Sequence, residues 1–345
     1  MTILFFSRLF YPHIGGVEKH VLEVSKLLVK RGYSVTVLTE QYDNQLKKED
    51  KIEGIRILRI DNGNDNWFKK FRVWKNLWIY RKLIKKSDIV HAHDVFFWFL
   101  PFRFLYHRKP VYTTFHGYET RFPPSKKAIF IRKISEKLSW GNICVGDYIN
   151  KWYHTNSTFV TYGGVNIEIK NQSFDFAQGK KSRIKILFIG RLEVDTGVLL
   201  YLKTLDILKE KKINFELEAV GDGSLCSRVA QYGRVHRFVD NSQKYIQDSG
   251  IVFASSYLSI LESLVYKKPV FSVYDNPLKE DYLKMSPFMK FIVVENDSSK
   301  LADKIGYYLD HKNEAQEKGN KGFELVKDKT WNTVADVYLK LWNKD

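Results

Sequence analysis

The chain has 345 residues, enough for two domains of ordinary size, and 44% of them are apolar, so large cores are available. Its formal net charge of +17 is uneven: residues 1–165 hold 28 Lys/Arg against 14 Asp/Glu, and residues 166–345 hold 28 against 25. The first half therefore looks built to meet something anionic, whether a membrane surface, a nucleic acid or a phosphorylated substrate. Two cysteines far apart, Cys144 and Cys226, both in apolar sequence, give no disulfide framework and no metal-ligand spacing, and point to a reduced compartment. The opening MTILFFSRLF reads as a strand and not as a leader peptide, and no apolar run approaches the roughly 18 residues of a spanning helix.

Taken in order, Thr2–Phe6 predicts a strand, and the loop Arg8–Gly16 leads into a helix whose apolar face is Val17, Val21, Val24, Leu27 and Leu28. Gly32 ends that helix and Tyr33–Leu38 is the next strand, a βαβ opening with Gly15 and Gly16 at the helix start. Such glycines let backbone amides approach an anion, or they form a tight turn and nothing more. Their spacing is not that of a nicotinamide-binding fingerprint. Ile52–Arg59 predicts a short strand. Trp67–Lys86 holds eight Lys/Arg, six aromatics and no acid. Helical spacing groups Phe71, Trp74, Leu77 and Trp78, as an interfacial helix would, while a crossover helix with its aromatics in the core is the alternative.

Asp88–His91 is the next strand, with His91 and His93 able to share a face; packing or substrate contact suits them better than a metal. Phe96–Tyr106 is an aromatic helix candidate interrupted by Pro101. Val111–Phe115 is a strand ending in His116–Gly117–Tyr118–Glu119, which makes His116 and Glu119 site candidates, since loops at strand ends carry chemistry. Gly163 to Asn166 and the polar run Asn171–Ser182 mark a boundary between residues 1–165 and 183–329, and the helix over 330–345 could cross back. In the second half Ile184–Ile189 is a buried strand. The Arg191 beyond it suits a diphosphate through its rigid fork, or an interdomain salt bridge. Phe215–Val220 is followed by a turn at Gly221. Ile251–Ala254 is a strand and Ile260–Val265 lies in a helix, with cap-like hydroxyls before it and Glu262 one turn in, at the edge where open parallel sheets hold ligands. The amides near Ser259 and Ile260 and the side chain of Arg191 can neutralise phosphates, and Glu262 can accept two hydrogen bonds from a ribose diol. Tyr274–Phe288 reads as a Pro-bearing loop, and Trp331, Val334, Val337, Tyr338 and Leu341 form the stripe of a last helix.

Taken together, Pro12–Glu18, Asp88–His93, His116–Glu119, Gly163–Asn166, Gly190–Leu192, Val220–Gly223, Leu261–Ser263 and Lys268–Val270 resemble, in order and spacing, the retaining glycosyltransferases of family four. The resemblance implies two doubly wound α/β Rossmann-like domains facing a central cleft, the B-type fold (GT-B). It implies hexosyl transfer from a nucleotide sugar, a co-substrate, with retention and with no bound metal at the donor site. The glycine-rich loop maps onto Gly15 and Gly16, the active-site histidine onto His116, the phosphate-binding arginine onto Arg191 and the ribose-binding glutamate onto Glu262. Several features depart from the family: its first signature glutamate falls on Ala254, the loop before Glu262 is shorter than usual, its Lys-Gly pair reads Thr196–Gly197, and its Asn-Gly-Val-Asp turn reads Gly163–Gly164–Val165–Asn166. The basic, aromatic first domain favours a lipid-linked or phosphorylated acceptor at an anionic membrane surface, hence a cytoplasmic protein peripheral at the inner face of the membrane, with no nucleic acid as partner. A transferase acting on soluble glycans or metabolites and a non-catalytic nucleotide-sugar or glycan-binding subunit are the alternatives.

Overall fold

The computed structural model describes residues 1–63, 66–117, 122–167, 183–237, 239 and 241–343. The chain divides into two compact units, one of Met1–Thr161 with Trp331–Asp345, the other of Tyr162–Thr330. The expectations for Glu119 and for the run Asn171–Ser182 lie outside the described residues.

The first unit is built on strands β1 (Thr2–Ser7), β2 (Ser34–Glu40), β3 (Glu49–Ile52), β4 (Ile55–Ile60), β5 (Ile89–His93), β6 (Val111–Phe115), β7 (Gly141–Val145) and β8 (Phe159–Thr161). Their order is β3-β4-β2-β1-β5-β6-β7-β8, parallel throughout except for the β3–β4 hairpin. The hairpin corrects the single strand expected over Ile52–Arg59: Glu53 and Gly54 adopt left-handed φ values of 50° and 81° and turn the chain there. Helices α1 (Gly16–Lys30), α2 (Lys69–Ile79), α3 (Arg81–Lys86), α4 (Leu100–Leu105), α5 (Lys126–Leu138) and α6 (Tyr148–Tyr153) connect the strands. β1 and β5 are buried along nearly their whole length, as parallel strands covered on both faces must be. Trp67–Lys86 is therefore two helices and not one. Val73, Leu77 and Ile84 face the core and Trp74 packs against it, whereas Phe71 and Trp78 are 55% and 49% exposed, so the expected group is split between core and surface.

In the second unit β9 (Ile184–Ile189), β10 (Phe215–Val220), β11 (Gly233–His236), β12 (Ile251–Phe253), β13 (Val270–Val273) and β14 (Val293–Glu295) form a wholly parallel sheet of order β11-β10-β9-β12-β13-β14. Numbered within the unit this is 3-2-1-4-5-6, the Rossmann order. Helices α7 (Val198–Glu210), α8 (Cys226–Val229), α9 (Gln243–Asp248), α10 (Tyr257–Val265), α11 (Pro277–Lys284), α12 (Ser298–Asp310) and α13 (Lys312–Val326) complete it. Helix α11 replaces the loop expected over Tyr274–Phe288. Pro277 sits in its first turn, where a missing N–H costs nothing, and Asn276 caps it. The C-terminal helix Trp331–Trp342 packs on α1 and β8 of the first unit. Cys226 departs from the apolar setting expected of it: its thiol donates to Asp222 Oδ1 at 3.0 Å. Cys144 is buried, which pushes its thiol up to about 12. No helix among the described residues is long and apolar enough to cross a membrane.

Candidate functional site

Parallel sheets bind ligands beyond the carboxyl ends of the strands where the strand order reverses. In the second unit that point lies between β9 and β12. Gly190 ends β9 with φ 147°, and Arg191 follows. The guanidinium Nη2 donates to Asp195 Oδ2 at 2.6 Å, a pairing within its own loop. The Arg191 side chain is nevertheless 59% exposed and free to exchange that partner for a phosphate. Thr196, which stands where a lysine is expected, turns inward: its hydroxyl bonds the carbonyls of Arg191 at 2.6 Å and Glu193 at 2.8 Å and closes the loop. Gly221 has φ 147° at the end of β10, and a Cβ there would overlap the Gly190 carbonyl. Its glycine is required by the close approach of the two strand ends.

From β12 only Ala254, Ser255 and Ser256 precede α10. The seven-residue spacing back from Glu262 thus lands on the buried strand end. Ala254 has no exposed surface, its N–H donates to Phe271 O at 3.2 Å and its carbonyl accepts from Ser272 Oγ at 2.5 Å. Ala254 is thus part of the buried strand end and lines no open pocket. In α10 Ile260 N–H already donates to Ser256 O at 3.0 Å. It is therefore committed, against the expectation that it meets phosphate, and the Leu258 and Ser259 amides of the first turn remain in advance of the helical ladder. Glu262 lies four residues after Leu258, and these are the two residues of α10 that are not buried, so they share its outer face.

The first unit has its own reversal point, between β1 and β5. The loop after β1 delivers Gly15 and Gly16 to the start of α1. A Cβ at Gly15 would strike the Glu18 carboxylate, which also meets His13 Nδ1 at 3.1 Å. The helix start is thus already faced by a negative charge of its own first turn. At the ends of β5 and β6 His93 Nδ1 and His116 Nε2 share a hydrogen bond of 2.9 Å, and His116 N–H donates to Asp94 Oδ1 at 3.0 Å. The His20 ring, one turn into α1, stands edge-on to His116 with centroids 4.7 Å apart.

Behind these rings a hydrogen-bond chain starts from a donor of fixed direction. The Trp342 indole can only donate, and it donates to His91 Nδ1 at 3.1 Å. His91 is therefore protonated on Nε2, which donates to Thr114 Oγ1 at 2.7 Å. The Thr114 hydroxyl shares a hydrogen bond with Tyr338 Oη, and Tyr338 Oη shares another with His20 Nε2, both at 3.0 Å. Burial holds His91, His93 and His116 well below the usual imidazole range and His20 at about 3, so all four rings are neutral at neutral pH. A neutral His116 imidazole can donate or accept a hydrogen bond but brings no charge. Among the described residues no group of three His, Cys, Asp or Glu side chains could hold a metal ion. Arg132 of α5, not singled out from the sequence, braces this edge: it donates to Gly117 O at 2.7 Å and lies 3.9 Å over the Tyr153 ring. A lone arginine in a basic helix gives no sequence signal for such a role.

Residues 14–168 match the model of a family described as Glycosyltransferase Family 4. Over 96% of its length, and 97% of the other chain, the protein is 23% identical to an uncharacterised glycosyltransferase of Methanocaldococcus jannaschii. Among solved structures it is similar to the sucrose-phosphate synthase of Thermosynechococcus elongatus, with a TM-score of 0.78 at 14% identity over 99% of this chain and 98% of that one. It is also similar to Anabaena HepE, solved with UDP and glucose, with a TM-score of 0.73 at 13% identity over 99% of this chain and 98% of that one.

Proposed function

We propose that this chain, which matches the family 4 glycosyltransferase model over residues 14–168 and has a B-type fold, is such a transferase and moves a hexosyl group from a nucleotide sugar to a membrane-linked acceptor with retention at the anomeric carbon. The observation that carries the donor half is the reversal point of the second unit. It gathers a largely exposed arginine, the Leu258 and Ser259 amides in the first turn of α10 and a carboxylate on the outer face of that helix. Arg191 and the Leu258 and Ser259 amides take the diphosphate, and Glu262 accepts from the ribose diol. Attack on the same face as departure lets the leaving phosphate take the acceptor's proton, while His116 orients the sugar. No resident metal or cofactor enters this scheme.

A panel of nucleoside diphosphates followed by thermal shift and calorimetry tests the donor half. One of them is expected to raise the melting temperature, and Glu262→Gln is expected to weaken its binding about tenfold, the worth of one charged hydrogen-bonding site. Unchanged binding would remove the ribose role from Glu262. Nucleotide binding without turnover on any donor or lipid acceptor would favour a binding subunit over an enzyme.

The acceptor half rests on α2 and α4. Trp74 Nε1 donates to Phe97 O at 2.8 Å and Trp78 stacks on Phe102, which anchors α2 beside α4. Trp67, Phe68, Phe71, Ile79, Phe104 and Leu105 are left exposed, among Lys69, Lys70, Arg72, Lys75, Arg81 and Arg103. Exposed aromatics set among cations suit the headgroup boundary of an anionic bilayer. Vesicles containing phosphatidylserine are expected to sediment the protein at low salt, vesicles of phosphatidylcholine alone much less. Paired Trp67→Ala and Phe71→Ala changes are expected to reduce the bound fraction severalfold. Absence of any binding to anionic vesicles at low salt would point to a soluble acceptor.

A further inference from the structure

Lys279 lies in α11, in the stretch that the sequence reads as a loop. Asn276 caps that helix by accepting from Lys279 N–H at 2.9 Å. The side chain then folds back and is 6% exposed. Its ammonium group donates to the Ser255 carbonyl at 2.7 Å and lies 4.2 Å over the Tyr282 ring. Ser255 is the residue before the α10 cap, and its hydroxyl is tied to the Val273 backbone at the end of β13. Gly197, directly after Thr196, abuts the Val273 side chain. The ammonium group is therefore held at the carboxyl ends of β12 and β13, on the edge of the sheet where β9 delivers Arg191.

The charged groups acting on it are Asp195, Arg191 and Asp275. Among the described residues no carboxylate reaches ion-pair distance of it. A buried ammonium without a paired carboxylate is costly to keep, and such groups cluster where a charge is to be received. A nucleoside diphosphate brings several negative charges. Arg191 alone does not balance them, because Asp195 at 2.6 Å offsets its charge.

We propose that Lys279 is the second cation of the donor site, exchanging the Ser255 carbonyl and the Tyr282 ring for the diphosphate of a nucleotide sugar. It takes the role that Thr196, turned into its own loop, cannot fill. In the transfer the bond from the anomeric carbon to the diphosphate oxygen breaks with its electron pair on that oxygen. The acceptor oxygen bonds the carbon, and its proton passes to the departing phosphate. Lys279 stabilises the charge that develops there and is itself unchanged. This proposal rests on the donor reading given above.

Burial lowers the Lys279 ammonium from its ordinary 10.5 to about 8. Because only the charged form receives the phosphates, diphosphate affinity is expected to be level up to about pH 8 and then to fall, by up to about tenfold per pH unit. Arg191, Asp195 and Asp275, the other charged groups facing it, are of types that do not titrate between pH 7 and 9. The test is calorimetry on the intact protein with UDP, GDP and ADP, each beside its nucleoside. Lys279→Met is expected to weaken the preferred diphosphate at least tenfold, leave the nucleoside within twofold and abolish the alkaline fall. A folded Lys279→Met protein with wild-type diphosphate affinity overturns the proposal and leaves the donor reading standing. If that variant does not fold, the wild-type pH profile decides, and a level profile to pH 9 overturns the proposal. A wild-type protein that binds none of the diphosphates overturns both.

Discussion

Replacing Arg191 with alanine is expected to slow sugar transfer by about 10²–10³-fold, the loss typical of removing one preorganised group from a developing anion. The reasoning begins with its partner. Asp195 holds the guanidinium at 2.6 Å, but the arginine is mostly in water, so the pair contributes little to folding. The fold is carried instead by the core of the β9–β12 region, in which Phe188, Tyr201 and Phe253 are buried with rings in contact. The variant should therefore keep its melting temperature within a few degrees while nucleoside diphosphate release collapses. Arg191→Lys should recover only part of the rate, because an ammonium cannot hold two oxygens as a fork does. The measurement is single-turnover release of the nucleoside diphosphate at saturating donor. An alanine variant within threefold of wild type would remove Arg191 from the reaction and leave it a loop-closing residue.

How much of this was legible before the structure depends on where the signal lay. Parallel strands buried on both faces leave unbroken apolar runs, so β1, β9 and β12 could be read directly, and with β9 the place of Arg191 beyond its end; the β-branched and aromatic run of β6 likewise marks the place of His116. Helix α10 was legible from its apolar spacing, and Glu262 with it. Register and partner choice were not. Nothing local says that Thr196 turns its hydroxyl inward, that Arg191 is held by Asp195, or that the spacing to 254 runs into a strand end. Helix α11 was missed because Pro277 reads as a breaker when it is an N-terminal residue, and Lys279 was missed with it. Helix α13, rich in charge, with Gly319 and Gly322 among its buried positions, carries a weak apolar pattern: Gly319 lies against the Lys267 carbonyl and Gly322 against Leu264, contacts invisible to periodicity. The histidine cluster needed the sheet order itself, since His20, His91, His93 and His116 come from three separate parts of the chain.

That cluster makes the first unit acid-sensitive. Each of the four imidazoles is held below its ordinary value by burial, so the unfolded chain binds protons that the folded one refuses. The stabilisation is complete above about pH 6.5 and erodes as the pH falls below it, continuing towards the folded values, with His20 at about 3. At pH 5 the loss is about 2 kcal/mol for each fully refused proton, and the rings are close enough that taking up one opposes the next. Against a domain stability of roughly 5–15 kcal/mol, unfolding is expected near pH 5. The direct casualty is the C-terminal helix, because protonating His91 turns its Nδ1 from an acceptor into a donor against the Trp342 N–H. The readout is selective: all eight tryptophans lie in the first unit, so indole fluorescence reports it alone. The described histidines of the second unit, His236 and His311, are not buried. Tryptophan emission should therefore show a melting temperature that drops steeply between pH 6.5 and 5, ahead of the far-ultraviolet signal of the whole chain. His91→Gln, whose amide can supply both an acceptor and a donor, should soften the slope by about one proton. A melting temperature level from pH 7.5 to 5 would mean that the cluster is hydrated and charged in solution, and that the C-terminal helix is held by its apolar face alone.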